Sequence, residues 1–173
     1  MSDKLISKLE AATRQLDTAI SLWFTKSDIV SIHTLACSAY QIIHDINKKK
    51  GHKELFFNSL VVKDEYRREM INLLKKDYDF FKHAEKDPDS SIEFDGSSTE
   101  VFILFSILGL ELLGIRHNDI RDAFIIWDAF NNPERLTEKG KKQFIDNIPP
   151  ESIEQALTLN RSEFFDRFKL FRS

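Results

Sequence analysis

Two stretches of this 173-residue chain hold residues whose types and spacing could do chemistry. In IHTLACSAYQIIHDI, residues 32–46, His33, Cys37, Tyr40 and His44 recur at steps of four, three and four. At about 100° per residue such a spacing puts all four on one helical face. In FFKHAEKDPD, residues 80–89, Lys82 and His83 precede Asp87 and Asp89, so a cation, an acid–base group and two carboxylates lie close in sequence.

Metal chemistry would need more. His33 with Cys37, and Asp79 with His83, are i,i+4 pairs within chelating reach, and two such pairs on adjacent helices would make a four-ligand site inside a bundle. His33 and His44 lie eleven residues apart, or about 16 Å along a helix, too far to share one ion. Asp, Glu, His and Cys total 34 of 173 residues, and at that density roughly seven i,i+4 ligand-type pairs arise by chance. No cofactor is therefore expected. A divalent metal is the lesser reading, and hydrogen-bonded histidines at the edge of the core are the greater.

Three further stretches have duller explanations. The acidic residues from Asp89 to Glu100 match several calcium-loop positions, but Phe94 stands where the sharp turn needs glycine. A solvated connection with turns at Asp87-Pro88 and Asp95-Gly96 is expected instead, although some fourteen residues is long for a loop inside a bundle. The lysines of KKKGHK suit a helix C-terminus closed by Gly51. RHNDIRD, with Arg116, His117 and Arg121 at a helix start, could receive an anion or pair with Asp119 and Asp122 on the surface. No glycine-rich phosphate loop, CxxC, HExxH or GxSxG occurs.

The elements that must position these residues read as helices throughout. Leu5, Leu9, Ala12, Leu16, Ala19 and Trp23 form a core-facing stripe, and Ser27 or Asp28 caps a second helix with its stripe from Ile32 to Ile46. A third helix is expected through Tyr66, Met70, Leu73, Leu74, Tyr78 and Phe81. A strongly apolar fourth, capped by Ser98 or Thr99, runs to Leu113, and a fifth begins at Asn118 or Asp119 and ends near Phe130. The chain then breaks into shorter helices near 137–144, 151–159 and 162–171. Phe164, Phe165, Phe168 and Phe171 line one side of the last, to dock on the chain's own core or, as the second choice, on another copy. No useful length alternates with period two. The expectation is a single all-α domain over 1–173, with a five-helix core at about 3–131 and a helical C-terminal segment at about 134–173.

Composition agrees. Hydrophobic residues make up 42% and charged residues 31%, which excludes a disordered chain. No apolar run reaches the ~20 residues of a membrane span. A lone cysteine rules out an internal disulfide, and with a charged, amphipathic N-terminus it points to the cytoplasm. The net charge of −3 lends no general attraction to nucleic acid, although residues 47–83 are basic (ten Lys/Arg against six Asp/Glu) and residues 84–128 acidic (three against ten).

Together, residues 32–46 and 80–89 resemble a family of uncharacterised bacterial all-helical proteins with a His-Thr-Leu-Ala…Ala-Tyr helix and a Phe-Lys-His-Ala…Asp-Pro-Asp motif. The resemblance spans most of residues 5–130 and implies site positions at His33, Tyr40, Lys82, His83, Asp87 and Asp89, without implying an activity. More distantly, the bundle is similar to HEPN-type proteins, many of them ribonucleases or nucleotide-binding partners in toxin systems. Their Arg-then-His signature, four to six residues apart, is missing here. Two functions follow as expectations. One is a non-catalytic, homodimeric helical module whose His-Lys-Asp cluster orders the loop or holds a small ligand. The alternative is a nucleotide- or nucleic-acid-processing enzyme, metal-assisted or not, with His33 or His83 as acid–base, Lys82 and Arg116 on phosphate, and Asp87 orienting a histidine.

Overall fold

A computed structural model describes residues 5–52, 77, 79–83, 85 and 87–172. Among these the chain is all-α: α1 (Lys8–Phe24), α2 (Ile29–Lys49), α3 (Ser97–Leu112), α4 (Asp119–Asn131), α5 (Glu138–Phe144), α6 (Pro150–Leu157) and α7 (Arg161–Arg172), with a 3-10 turn at Pro133–Arg135. The expected third helix falls mostly outside the described residues. Its visible end, Asp79 and Phe80, is helical and closes through the His83 amide donating to the Asp79 carbonyl at 3.1 Å.

Side-chain caps set the starts of most helices. Ser7, Asp28, Asn118 and Thr137 each accept from a backbone amide in the first turn of α1, α2, α4 and α5. The exceptions are α6, which starts from Pro149, and α3. The N-cap of α3 is Gly96 in the left-handed region (φ 77°), without a side-chain cap. Ser98 and Thr99, the expected caps, lie buried inside the first turn, and their hydroxyls reach other segments instead.

Helix α2 packs against both α1 and α3. Near its start His33 meets Thr99, and near its end the Asn47 amide donates to the Gly109 carbonyl at 3.0 Å. Both pairings advance in the same sense, so α2 and α3 run parallel. The core is aromatic at one end. Trp23 meets Phe24, Phe124 and Trp127 edge-on, and Phe24 stacks on Phe165 at 4.5 Å. Phe164 is buried and Phe168 packs against the same cluster, so α7 docks on the chain's own core. The Phe171 side chain lies outside the described part. Arg161 secures the joint, its guanidinium 4.0 Å over the Trp23 ring and 2.8 Å from Glu100.

Candidate functional site

Asp28 sets where α2 begins, and one turn later His33 faces α3 with almost no exposure. Its Nδ1 lies 2.9 Å from Thr99 Oγ1, and its Nε2 lies 3.2 Å from Cys37 Sγ. Three phenylalanine rings from separate segments close around the imidazole edge-on: Phe94 at 4.8 Å, Phe102 at 5.4 Å and Phe81 at 5.6 Å. His33 is therefore a fully satisfied core residue rather than one at the core's edge. Burial pushes its pKa below the ordinary 6.5, with the charge of Asp77 pulling the other way. Burial, reinforced by Asp77, pushes the Cys37 thiol pKa up, against a smaller opposing pull from Lys82. A thiol buried and held protonated in this way is a poor nucleophile.

The segment that follows is tied to this cluster. Ser98 Oγ donates to Asp77 at 2.9 Å, one residue before Thr99 meets His33. Phe81 and Phe94 also touch each other, at 4.9 Å between centroids. Two turns shape the loop between, as expected. The Ser90 amide donates to the Asp87 carbonyl at 3.0 Å, and Asp95 accepts from the Ser97 amide at 2.9 Å.

Outside that aromatic plug lies an open pocket of about 730 Å³. Among the described residues, Asp79, His83, Glu85 and Asp87 give it a histidine and three carboxylates, and Phe80, Ile92, Ser90 and Ser91 complete the lining. His83 and His33 thus occupy different settings, one exposed in the pocket and the other sealed in the core. Lys82 and Asp89 are exposed in the same segment but are not among the lining residues. Tyr40 is buried, its ring on Phe102 at 5.3 Å and its hydroxyl 3.4 Å from His44 Nδ1. Arg116 stands apart, and its carbonyl accepts from Arg121. No described group of three or more His, Cys, Asp or Glu side chains is arranged to hold a metal ion.

Helix α4 departs from expectation. Arg121 is buried, not a surface residue, and forks onto Asp17 of α1 at 2.7 and 2.8 Å. His117 takes Asp122 at 2.9 Å. One carboxyl has no counterpart in the sequence reading. Asp128 is buried beside Asn132, 3.6 Å from Arg135, and burial raises its pKa to about 7. The residue pattern does not single out Thr99, Phe94 or Asp128, because each draws its role from a segment distant in sequence.

Fold and site together define an all-helical protein with a plugged histidine core and an acidic surface pocket. No described helix is long and apolar enough to cross a membrane. No protein-family model, no curated protein and no solved structure matches the chain.

Proposed function

We propose that this protein is a non-catalytic helical binding module whose open pocket takes a small organic cation. The carrying observation is the lining: Asp79, Glu85 and Asp87 surround His83 in a space of about 730 Å³, large enough for a small molecule. Three carboxylates favour an ammonium group, and Phe80 offers it an aromatic face. The nucleotide-processing alternative is left with His83 as its only accessible acid–base among the expected pair, since both ring nitrogens of His33 are engaged in the core. A phosphate would face like charge there. The distant HEPN likeness and a divalent metal belong to that alternative.

The module is proposed to act in the cytoplasm as a homodimer. With Phe164, Phe165 and Phe168 packed internally, Leu157 and Leu170 remain exposed on α6 and α7 for a second copy. Sedimentation of Leu170→Asp against wild type tests this, and an unchanged monomer in both removes the dimer.

Calorimetric titration with putrescine, spermidine and choline tests the pocket, together with turnover assays on RNA, DNA and nucleotides. Binding of one cation, weakened at least fivefold in Asp87→Asn, is the expected result. No cation binding at millimolar concentration defeats the reading. Turnover that disappears in His83→Ala replaces it with the enzyme.

A further inference from the structure

A second pocket, sharing no residue with the first, lies where the end of α3 meets α4 and α5. It holds about 430 Å³, within the range of roughly 300–1,000 Å³ usual for small-molecule sites. Its floor is apolar, from the half-buried Leu108, Ile126 and Phe144 and the buried Ile125. Its rim is polar, from Glu111, His117, Asp122, Lys139 and Gln143.

The rim is ordered by one short contact. Asp122 sits 2.9 Å from His117 Nδ1, and in the neutral ring a carboxylate there favours the tautomer with the proton on Nδ1 and Nε2 as an acceptor. Nε2 then lies beside a second acceptor, Glu111 Oε2, at 3.9 Å, too far for a direct hydrogen bond. A nitrogen placed about 2.9 Å from each closes a triangle on that edge, so one ammonium can donate to both. Lys139, exposed on α5, adds a cation to the same rim, and Gln143 one turn later adds an amide. Acceptors for an ammonium, a cation for a carboxylate and an apolar floor thus surround one space.

We propose that this pocket binds a free apolar α-amino acid. The α-ammonium donates to Glu111 and His117, the carboxylate pairs with Lys139, and the side chain covers Leu108, Ile125, Ile126 and Phe144. Asp122 is a positioning residue. Asp122→Asn turns a side-chain N–H toward Nδ1, moves the imidazole proton to Nε2 and sets it against the ammonium. The site does not depend on the cation pocket proposed above.

The test is calorimetry of the full-length chain with L-leucine and L-phenylalanine. 4-Methylpentanoate and isoamylamine serve as the analogues that lack the amine and the carboxylate. Saturable binding of an amino acid is expected, with each analogue at least tenfold weaker. Glu111→Gln should weaken L-leucine at least fivefold and leave 4-methylpentanoate unchanged. Lys139→Gln should do the same with isoamylamine as its insensitive partner. Both side chains are exposed, so neither variant endangers the fold. In Asp122→Asn the loss should be specific to ligands carrying the amine, which a merely structural role would not produce. Absence of saturation at millimolar amino acid overturns the proposal, as does affinity indifferent to the amine or to Glu111.

Discussion

His33 of α2 and Thr99 of α3 are joined at 2.9 Å across 66 residues of chain, and both side chains are buried. That contact does two jobs. It satisfies a ring nitrogen that would otherwise be stranded in the core, and it locks the first turn of α3 to the helix that carries Cys37 and Tyr40. Because Ser98 engages Asp77 one residue earlier, both ends of the pocket-lining segment are held at α3's first turn.

Thr99→Val keeps the shape of the side chain and removes its hydroxyl. The imidazole loses one partner in a site that water does not reach, so the chain should lose about 1–3 kcal/mol of stability. His33→Ala also opens a cavity among Phe81, Phe94 and Phe102 and should cost about 2–5 kcal/mol. Urea unfolding of both variants and of the double variant checks this. The double variant should be less destabilised than the sum, since the two share one interaction.

Two buried groups should make stability respond to pH with opposite signs. His33 has a pKa lowered by folding, so its contribution is complete above the unfolded value near 6.5 and is lost as pH falls below it. Asp128 has a pKa raised from 3.8 to about 7, so its native form favours the proton and its penalty grows as pH rises through that window. Asp128→Asn should therefore stabilise the chain by about 1 kcal/mol or more at pH 8, and much less at pH 5. Denaturant titrations at the two pH values measure the difference. An equal gain at both would refute the assignment.

The helices were legible because local chemistry writes them. Asp28 and Asn118 cap where capping residues precede apolar stripes, and Gly51 (φ 79°) follows the lysines that end α2, whereas Leu5, read into the first stripe, is exposed ahead of α1, whose cap is Ser7. The start of α3 misled because Ser98 and Thr99 are equally good as caps and as long-range hydrogen-bond partners, and only tertiary packing decides between them. Arg121 misled for the same reason, since its partner Asp17 lies 104 residues away. The parallel run of α2 and α3 leaves no periodic trace at all. Of the site, the motif residues Asp79, His83 and Asp87 do line one pocket, whereas His33, spaced just as suggestively, belongs to the core.

Cys37 should be silent toward thiol reagents in the native protein. Its sulfur lies 3.2 Å from His33 Nε2, is buried, and belongs to a thiol whose pKa burial raises. Labelling by a disulfide reagent at pH 8 should proceed only through opening of the bundle, and its rate should climb with urea as global unfolding does. Rapid stoichiometric labelling without denaturant would contradict the buried geometry.

Arg161 should be irreplaceable by lysine. Its planar guanidinium both stacks on Trp23 at 4.0 Å and reaches Glu100 at 2.8 Å, and a lysine supplies only a point charge. Arg161→Lys should cost about 1 kcal/mol and shift the tryptophan emission as the joint to α7 loosens. Arg161→Ala should do both more strongly. Fluorescence-monitored unfolding reads the two effects together, and an unchanged spectrum in both variants would remove the stacking role.

Gly96 is where the pocket segment, α2 and α3 converge. Its φ of 77° is a conformation that costs an L side chain about 1–2 kcal/mol, and a β-carbon there would run into the side chain of Ile29 in the first turn of α2. Gly51 (φ 79°) and Gly114 (φ 75°) share the backbone conformation but have open space where a β-carbon would point. The three glycines therefore separate strain from collision. Gly51→Ala and Gly114→Ala should each lose about 1 kcal/mol, the backbone cost alone. Gly96→Ala should lose about 2–3 kcal/mol, because Ile29 must move and the first turn of α3, which carries Ser98 and Thr99, moves with it. Amide exchange should show the extra loss as faster opening of residues 95–99 in Gly96→Ala alone. Equal destabilisation across the three variants would mean that the contact between Gly96 and Ile29 carries no weight.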